Sequence, residues 1–234
     1  MKIKGSVVLV TGANRGLGLE FARQALALGA AKVYAAARDP SKVTLPGVVP
    51  VRLDVTNTAD VAALAVQCPD VTLLVNNAGI GRVGSFAQGD SSALLRELME
   101  TNLYGVLNMS HVFAGILGRN GGGAILNVLS ILSWVNSSML GAYGVTKSAA
   151  WALTNGLRIE LGAQGTQVVG LHAGFIDTDL IRAFDVPKAT PQDVVRQAYE
   201  AIEAGEVEVR VDEATRQVKA GLSQGVYLAD ALAA

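Results

Sequence analysis

Tyr143 and Lys147 are the residues whose types and spacing point most directly to chemistry, because they lie four positions apart in one segment. If the segment is helical, both side chains lie on the same face and close together. A phenol with a pKa of about 10 is mostly protonated at neutral pH, and a nearby cation lowers that pKa by favouring the ionised form. The pair predicts reversible proton transfer by Tyr143, with Lys147 as its activator, although this spacing also occurs often by chance.

Ser130 gives the pair a structural context. It ends an apolar, strand-like segment that begins at Ala124, and it precedes Tyr143 by thirteen positions. A second strand-like segment ends in the run Asn76-Asn77-Ala78-Gly79. Ligands bind at the carboxyl edge of parallel sheets, so we expect these segments to meet there.

A glycine-rich loop follows the first strand-like segment and leads into a helix. Glycines allow the backbone to approach a pyrophosphate closely, and a helix N-terminus offers free N–H groups and partial positive charge. A glycine-rich turn without a ligand is the alternative, but the position after a first strand favours dinucleotide binding. The predicted contacts in this loop are Gly12, Asn14, Arg15, Gly16, Leu17 and Gly18.

Arg38 follows the second strand-like segment at a tip that lacks an acidic residue for the ribose hydroxyls. Together with Arg15, its guanidinium can form charge-assisted hydrogen bonds with a 2′-phosphate. NADP(H) is therefore the predicted cofactor. Two solvated surface arginines are the alternative, and Asp39 would complicate the assignment if the strand ended one residue later.

Composition predicts one α/β domain over residues 1–234. Half of the residues are hydrophobic and 17% are charged, which is typical of parallel strands covered on both faces. The apolar runs are shorter than the roughly 18 residues of a membrane span, so we expect a cytoplasmic protein. The net charge of −1 favours neither nucleic acid nor an anionic membrane as a partner. Two histidines and one cysteine predict no metal site.

The hydrophobic pattern alternates between strand-like and helix-like segments, as in repeated βαβ units. Right-handed crossovers then give a Rossmann-type, doubly wound parallel sheet of about seven strands, with helices on both faces. The predicted strands are residues 6–10, 32–36, 48–53, 71–75, 124–129, 167–172 and 207–211. The predicted helices are residues 17–28, 59–67, 91–117, 142–161 and 191–204, with a last helix that ends near Leu222.

Four segments together make the chain resemble the short-chain dehydrogenase/reductase family over nearly its whole length. They are the loop over residues 11–18, the Asn76-Asn77-Ala78-Gly79 run, the Ser130/Tyr143/Lys147 set and the run Gly174-Phe175-Ile176-Asp177-Thr178. The resemblance implies that Asn102 completes a catalytic tetrad by holding a water that links Lys147 to solvent. It also implies cofactor contacts from Asp54, Val55, Asn77, Ala78, Gly79, Tyr143, Lys147, Ile176 and Thr178.

The chain departs from the family pattern in two places. It has Ala173-Gly174 where Pro-Gly is usual, and only sixteen residues separate Gly174 from Pro191. We expect a mobile nicotinamide loop and an open substrate pocket without a long lid. Apolar candidates for the pocket lining are Gly81, Val83, residues 132–135, Met139, Leu140, Phe175, Leu180, Ile181 and Phe184, each of which could instead be core or a subunit contact.

Three functions fit these observations. The first is an NADPH-dependent reductase of an apolar or aromatic ketone or aldehyde, acting reversibly through Ser130 and Tyr143. The others are an NAD-dependent alcohol or sugar dehydrogenase and a non-catalytic dinucleotide-sensing signalling protein. The family resemblance favours a homodimer or homotetramer, and the tail with Tyr227, Leu228 and Leu232 is expected to pack on its own body or on a partner subunit. Core or interface packing is the expected role of Trp151.

Overall fold

Seven short strands form one sheet in which every neighbouring pair is parallel. The computed structural model describes residues 1–178, 186 and 188–231. The sheet order is β3-β2-β1-β4-β5-β6-β7, which confirms the predicted doubly wound fold. The strands are β1 Val7–Thr11, β2 Lys32–Ala37, β3 Val49–Arg52, β4 Leu73–Asn76, β5 Ala124–Val128, β6 Gln167–His172 and β7 Glu208–Arg210.

Helices cover both faces of the sheet, so the central strands are buried on both sides. One apolar core includes α1 and α6, where the rings of Phe21 and Tyr199 meet edge to face at 5.6 Å. The other core includes side chains of α2, α4 and α5. The helices are α1 Gly16–Ala27, α2 Thr58–Gln67, α3 Ser91–Met99, α4 Gly105–Arg119, α5 Gly141–Glu160, α6 Pro191–Ala204 and α7 Glu213–Gly221. Within the described residues, none of them is long and apolar enough to cross a membrane.

The sequence predicted one helix over residues 91–117, but the structure contains a π-helical turn, Glu100–Tyr104, between α3 and α4. Such turns often mark functional sites. Gly105 follows the turn, and a Cβ there would lie 2.7 Å from a methyl carbon of Val55. The chain therefore passes close to Val55, shortly after β3, at the point where the π-helical turn ends. The ends of β6 are as predicted, and the other strand ends differ from the predicted ones by at most two residues.

The order of the strands places the functional segments together. The chain leaves β1 toward β2 on one side and returns to β4 on the other, which opens a crevice at the carboxyl ends of β1 and β4. The glycine loop, the loop after β4, the loop after β5 and the loop after β6 all begin at this edge.

We predict that Gly18→Ala destabilises the fold, because a Cβ at Gly18 would lie 2.2 Å from the carbonyl oxygen of Gly12. The expected loss in the free energy of unfolding is about 1–3 kcal/mol, the usual cost of overpacking. Urea unfolding followed by circular dichroism measures it.

Gly156→Ala in α5 is the matched control, since no atom from outside the surrounding helix backbone lies within 4 Å of its added Cβ. It should be neutral or stabilising by up to about 1 kcal/mol, because alanine has the higher helix propensity. Equal stability of the two variants would contradict the close packing at Gly18.

Candidate active site

Thr11 and Asn77 join the glycine loop to the loop after β4. The Thr11 hydroxyl accepts hydrogen bonds from the backbone N–H groups of Asn77 (2.9 Å) and Ala78 (3.0 Å), and it donates to the Val75 carbonyl at 3.2 Å. In return, the Asn77 amide donates to the Thr11 carbonyl at 2.9 Å. These bonds hold two segments of the predicted site in one fixed arrangement.

The glycine loop has the shape of a pyrophosphate cradle. Gly12 and Gly16 have φ angles of +68° and +54°, which side chains disfavour. No side chain caps the N-terminus of α1, and Gly16, Leu17 and Gly18 in its first turn line a groove. Uncapped N–H groups at a positive helix end suit an anionic ligand, so the loop fits the diphosphate of a dinucleotide.

The groove has a volume of about 640 Å³ and crosses the carboxyl edge of the sheet. Every residue predicted to contact the cofactor lines it. These residues are Gly12, Asn14, Arg15, Gly16, Leu17, Gly18, Arg38, Asp54, Val55, Asn77, Ala78, Gly79, Tyr143, Lys147, Ile176 and Thr178. The structure thus brings together sixteen residues that span most of the sequence.

The end of the groove next to β2 carries the basic side chains. Arg38 is exposed there, and β2 ends before it, at Ala37. The Asp39 carboxylate accepts hydrogen bonds from the backbone N–H and the hydroxyl of Ser41, which lower its pKa. Asp39 is therefore held by its own turn, although it also lines the groove beside Arg38.

Lys42 is a groove residue that the sequence analysis missed. It lies in the short 3₁₀ turn after β2, four positions beyond Arg38, with its Nζ 3.8 Å from the Asp39 carboxylate. In the sequence, Lys42 stands out only as a further basic residue four positions after Arg38. Thr101, Ile80 and Leu129 also line the groove, and they are ordinary in type and gave no signal.

The groove also contains the three predicted catalytic residues Ser130, Tyr143 and Lys147. Ser130 follows β5, and its Oγ accepts a hydrogen bond from the Leu132 N–H at 3.1 Å, while its hydroxyl also forms a hydrogen bond with the Tyr143 phenol. Tyr143 and Lys147 lie one turn apart on α5, and the Lys147 Nζ is 5.6 Å from the centre of the Tyr143 ring. The predicted shared face is confirmed.

The expected lowering of the Tyr143 pKa is wrong for this structure. Burial raises the pKa of Tyr143 to about 12, against a smaller lowering by a hydrogen bond with Ser130. Lys147 donates to the Val128 carbonyl at 2.8 Å, and burial lowers its pKa to about 8. Removal from water is thus the largest influence on both pKa values, and Tyr143 is a protonated phenol.

Asn102 lies in the π-helical turn and is buried. Its amide donates to the Ile80 carbonyl (2.9 Å) and to the Thr146 hydroxyl (3.0 Å), and it accepts from the Ile80 N–H at 2.9 Å. The side chain therefore ties the loop after β4 to α5 beside Lys147. A proton route through a water at Asn102 stays a prediction.

A chain of hydrogen-bonded, buried polar side chains connects β4, β5 and α5, the elements that lead to the active site. The Asn76 amide donates to Asn127 Oδ1 at 2.9 Å, and Asn127 donates to the Thr154 hydroxyl at 2.9 Å. Thr154 in turn donates to the Ala150 carbonyl at 2.7 Å. Satisfied buried networks fix the positions of their members, so β4, β5 and α5 hold a single relative placement.

His172 is a second feature that the sequence did not reveal. It is fully buried at the end of β6, with Nδ1 3.1 Å from the Ser130 carbonyl. Its ring stacks on Trp134 at 3.9 Å, and burial lowers its pKa to about 4. A neutral imidazole thus supports the backbone of Ser130. Trp151 meets Trp134 edge to face at 6.4 Å, which agrees with a packing role.

A second cavity of about 830 Å³ opens beyond Ser130 and Tyr143. Of the predicted lining residues, those that line it are Gly81, Val83, Leu132, Val135, Leu140 and Phe175. Met139 is 45% exposed instead. Leu180, Ile181 and Phe184 lie outside the described residues, as does Leu232 of the tail.

The C-terminal segment forms part of the wall of this cavity. Residues of the C-terminal segment, including Val218, Val226 and Ala229, form part of its lining. The tail packs on its own body, since the Asp230 carboxylate accepts a hydrogen bond from the Ser138 hydroxyl at 2.6 Å. A segment far along the chain thus supplies part of the lining, which local sequence cannot indicate.

Comparison with known proteins assigns the family. The family model described as short chain dehydrogenase matches residues 6–188, which is more than half of the chain. The chain belongs to the short chain dehydrogenase family. Its members are oxidoreductases, and the matched range includes the glycine loop, Asn102, Ser130, Tyr143 and Lys147.

Several similar proteins illustrate the range of the family. A short chain dehydrogenase from Burkholderia cenocepacia J2315, solved in complex with NADP, is 38% identical with a TM-score of 0.92, over 96% of this chain and 95% of that one. Galactitol 2-dehydrogenase (L-tagatose-forming) of Cereibacter sphaeroides is 31% identical over 76% of this chain and 74% of that protein. Ketoacyl reductase HetN of Nostoc sp. is 28% identical over 90% and 80%.

We predict that His172 makes the protein sensitive to acid. Above pH 6.5 the imidazole is neutral in both states, but between about 6.5 and about 4 only the unfolded chain takes up the proton. As the pH is lowered through this interval, the protein therefore loses about 3 kcal/mol of the stability that His172 contributes. Urea unfolding at about pH 7 and about pH 4.5 measures the loss.

His172→Gln should show a smaller loss over that interval, because the titrating group is gone. The matched control is His111→Gln, at an exposed position on α4, which should keep the acid dependence of the unaltered protein. An undiminished loss in His172→Gln would show that other groups cause the dependence.

Proposed function

We propose that this protein is an NADPH-dependent oxidoreductase that reduces an apolar or aromatic ketone or aldehyde to an alcohol, reversibly. One observation carries the proposal: the dinucleotide groove and the apolar cavity share Ser130, Tyr143 and Gly174. A carbonyl that enters from the cavity reaches the proton donors at the place where the groove ends.

A bound nicotinamide supplies the hydride, and the residues of this chain position the carbonyl and manage the proton. Ser130 and Tyr143 border both the groove and the cavity, where their hydroxyl groups would donate hydrogen bonds to the carbonyl oxygen. Negative charge grows on that oxygen in the transition state, so donors fixed there stabilise the transition state more than the ground state. The Tyr143 phenol then gives up its proton.

Lys147 acts on the site as a buried cation. Its ammonium group is held by the Val128 carbonyl at 2.8 Å, close to Tyr143, where positive charge stabilises the phenolate left after proton transfer. Asn102 donates hydrogen bonds to the Ile80 carbonyl and the Thr146 hydroxyl, and so fixes the loop after β4 beside Lys147. Reprotonation of Tyr143 from solvent past Lys147 and Asn102 completes the proposed cycle.

The basic end of the groove supports NADPH over NADH. Arg15, Arg38 and Lys42 line it together with Asp39, whose carboxylate accepts a hydrogen bond from the Ser41 hydroxyl. A 2′-phosphate needs positive charge at this place, whereas a free ribose needs an acidic acceptor. The NADP bound to the similar Burkholderia protein agrees with this preference.

Oxidation of a polyol with NAD is the second candidate, since the similar Cereibacter protein is a galactitol dehydrogenase. The largely apolar lining of the cavity favours the first candidate. A non-catalytic sensor would not need Ser130, Tyr143 and Lys147 placed together.

We also propose a cytoplasmic homodimer or homotetramer. Tyr104 and Leu107, near the start of α4, and Ile159, near the end of α5, are exposed apolar side chains. Exposed apolar groups of this kind suit burial between subunits.

Tyr143→Phe removes the proton donor and should lower kcat for ketone reduction by about 10²–10⁴-fold, the usual contribution of general acid catalysis. NADPH oxidation followed by absorbance measures it, with thermal melting as the check on folding.

Tyr104→Phe is the matched control, because Tyr104 is exposed and removal of its hydroxyl leaves the site intact. It should retain the turnover of the unaltered enzyme. Unchanged kcat in Tyr143→Phe would refute Tyr143 as the acid.

Arg38→Ala should raise the KM for NADPH by about 10–100-fold, since a hydrogen bond to a charged group contributes roughly 1.5–3 kcal/mol. The KM for NADH should change little. The exposed Arg119→Ala variant on α4 should leave both values unaltered. Faster turnover of the unaltered enzyme with NADH than with NADPH would contradict the proposed cofactor.

A further inference from the structure

The C-terminal segment, residues 212–231, forms the far wall of the substrate cavity. It consists of α7 and two short 3₁₀ turns, Leu222–Gln224 and Val226–Leu228. Val218, Val226 and Ala229 contribute apolar side chains to the lining. Two aspartates, at positions 212 and 230, join this segment to the loops of the active site.

Asp212 fixes the beginning of the segment. Its Oδ2 accepts a hydrogen bond from the Gly174 N–H at 2.7 Å, and its Oδ1 accepts from the N–H (2.8 Å) and the hydroxyl (2.6 Å) of Thr215. Thr215 is fully buried. Asp212 therefore caps α7 and at the same time holds Gly174, which borders both the groove and the cavity.

Asp230 fixes the end of the segment. Its Oδ2 accepts hydrogen bonds from the Ser138 N–H (3.1 Å) and hydroxyl (2.6 Å). Beside it, the Ala231 N–H donates to the Asn136 carbonyl at 2.9 Å in a parallel bridge between Asn136 and Asp230. Ser138 belongs to the loop that leads into α5 and Tyr143, so the wall is attached to the segment just before the catalytic helix.

Between these two attachments, Lys219 anchors α7 to the body of the protein. Its Nζ lies 4.6 Å from the ring centre of Trp134 and 2.8 Å from the carboxylate of Glu208. The wall is therefore held at its start, its middle and its end. A wall fixed in this way sets the depth of the cavity rather than following the shape of the ligand.

We propose that Asp212 and Asp230, by clamping this segment, make the enzyme selective for elongated apolar carbonyl substrates. The inference rests on the proposed carbonyl reduction. The cavity of about 830 Å³ lies at the upper end of the range for small-molecule sites, so a short ketone leaves most of it unfilled. Each methylene that contacts Val218, Val226 or Ala229 adds transition-state binding.

A series of straight-chain 2-ketones of increasing length, assayed with NADPH, tests the proposal. In the unaltered enzyme kcat/KM should rise about fourfold per added methylene, the value of one buried CH₂, until the chain reaches the wall. In Asp230→Ala the ratio of kcat/KM for the longest and the shortest ketone should fall at least about tenfold, mainly through a higher KM for the long ketone.

Ser138→Ala removes only one donor to Asp230 and should lower the same ratio by a smaller factor, which keeps the test valid if Asp230→Ala folds poorly. Ser223→Ala, an exposed position in the same segment, is the matched control and should keep the ratio of the unaltered enzyme. Thermal melting of each variant verifies the fold.

An unchanged ratio in both clamp variants, or an equal loss of kcat/KM for short and long ketones, would overturn the inference. Activity of the unaltered enzyme without any dependence on chain length would overturn it as well, while leaving carbonyl reduction intact. Failure of the unaltered enzyme to reduce any ketone or aldehyde would instead contradict the proposed function.

Discussion

All seven strands run in one direction, and each loop that follows a strand therefore begins at the same edge of the sheet. The glycine loop after β1, the asparagine loop after β4, Ser130 after β5 and Gly174 after β6 meet there although they are far apart in the sequence. Hydrogen bonds then fix their relative positions, with Thr11 joined to Asn77 and Asn102 joined to Ile80. The site depends on this parallel arrangement before any catalytic residue contributes.

Burial is the second determinant of the chemistry. It raises the pKa of Tyr143 to about 12 and lowers that of Lys147 to about 8. At neutral pH, Tyr143 is therefore a neutral phenol, while Lys147 is still mainly an ammonium group. A phenol that keeps its proton until charge develops on the carbonyl oxygen is suited to reduction. The ammonium and the Ser130 hydroxyl then stabilise the charge that proton transfer leaves behind.

Much of the fold and of the groove could be predicted from the sequence, because period-2 and period-3.6 patterns and glycine runs are local signals. Features that depend on tertiary contacts could not. The π-helical turn around Asn102 and the burial of His172 under Ser130 arise from packing between distant elements. The position of the Asp230 carboxylate on Ser138 joins residues 92 positions apart, and the pKa of Tyr143 depends on how completely the fold excludes water.

The most direct test of the account is transfer of label from NADPH that carries deuterium on the transferable C4 position. The enzyme is incubated with this cofactor and a long-chain 2-ketone, and the product alcohol is examined by mass spectrometry and NMR. The account predicts an alcohol with one deuterium on the carbinol carbon, and much slower formation of it by Tyr143→Phe. Binding of NADPH without label transfer to any ketone or aldehyde would contradict it.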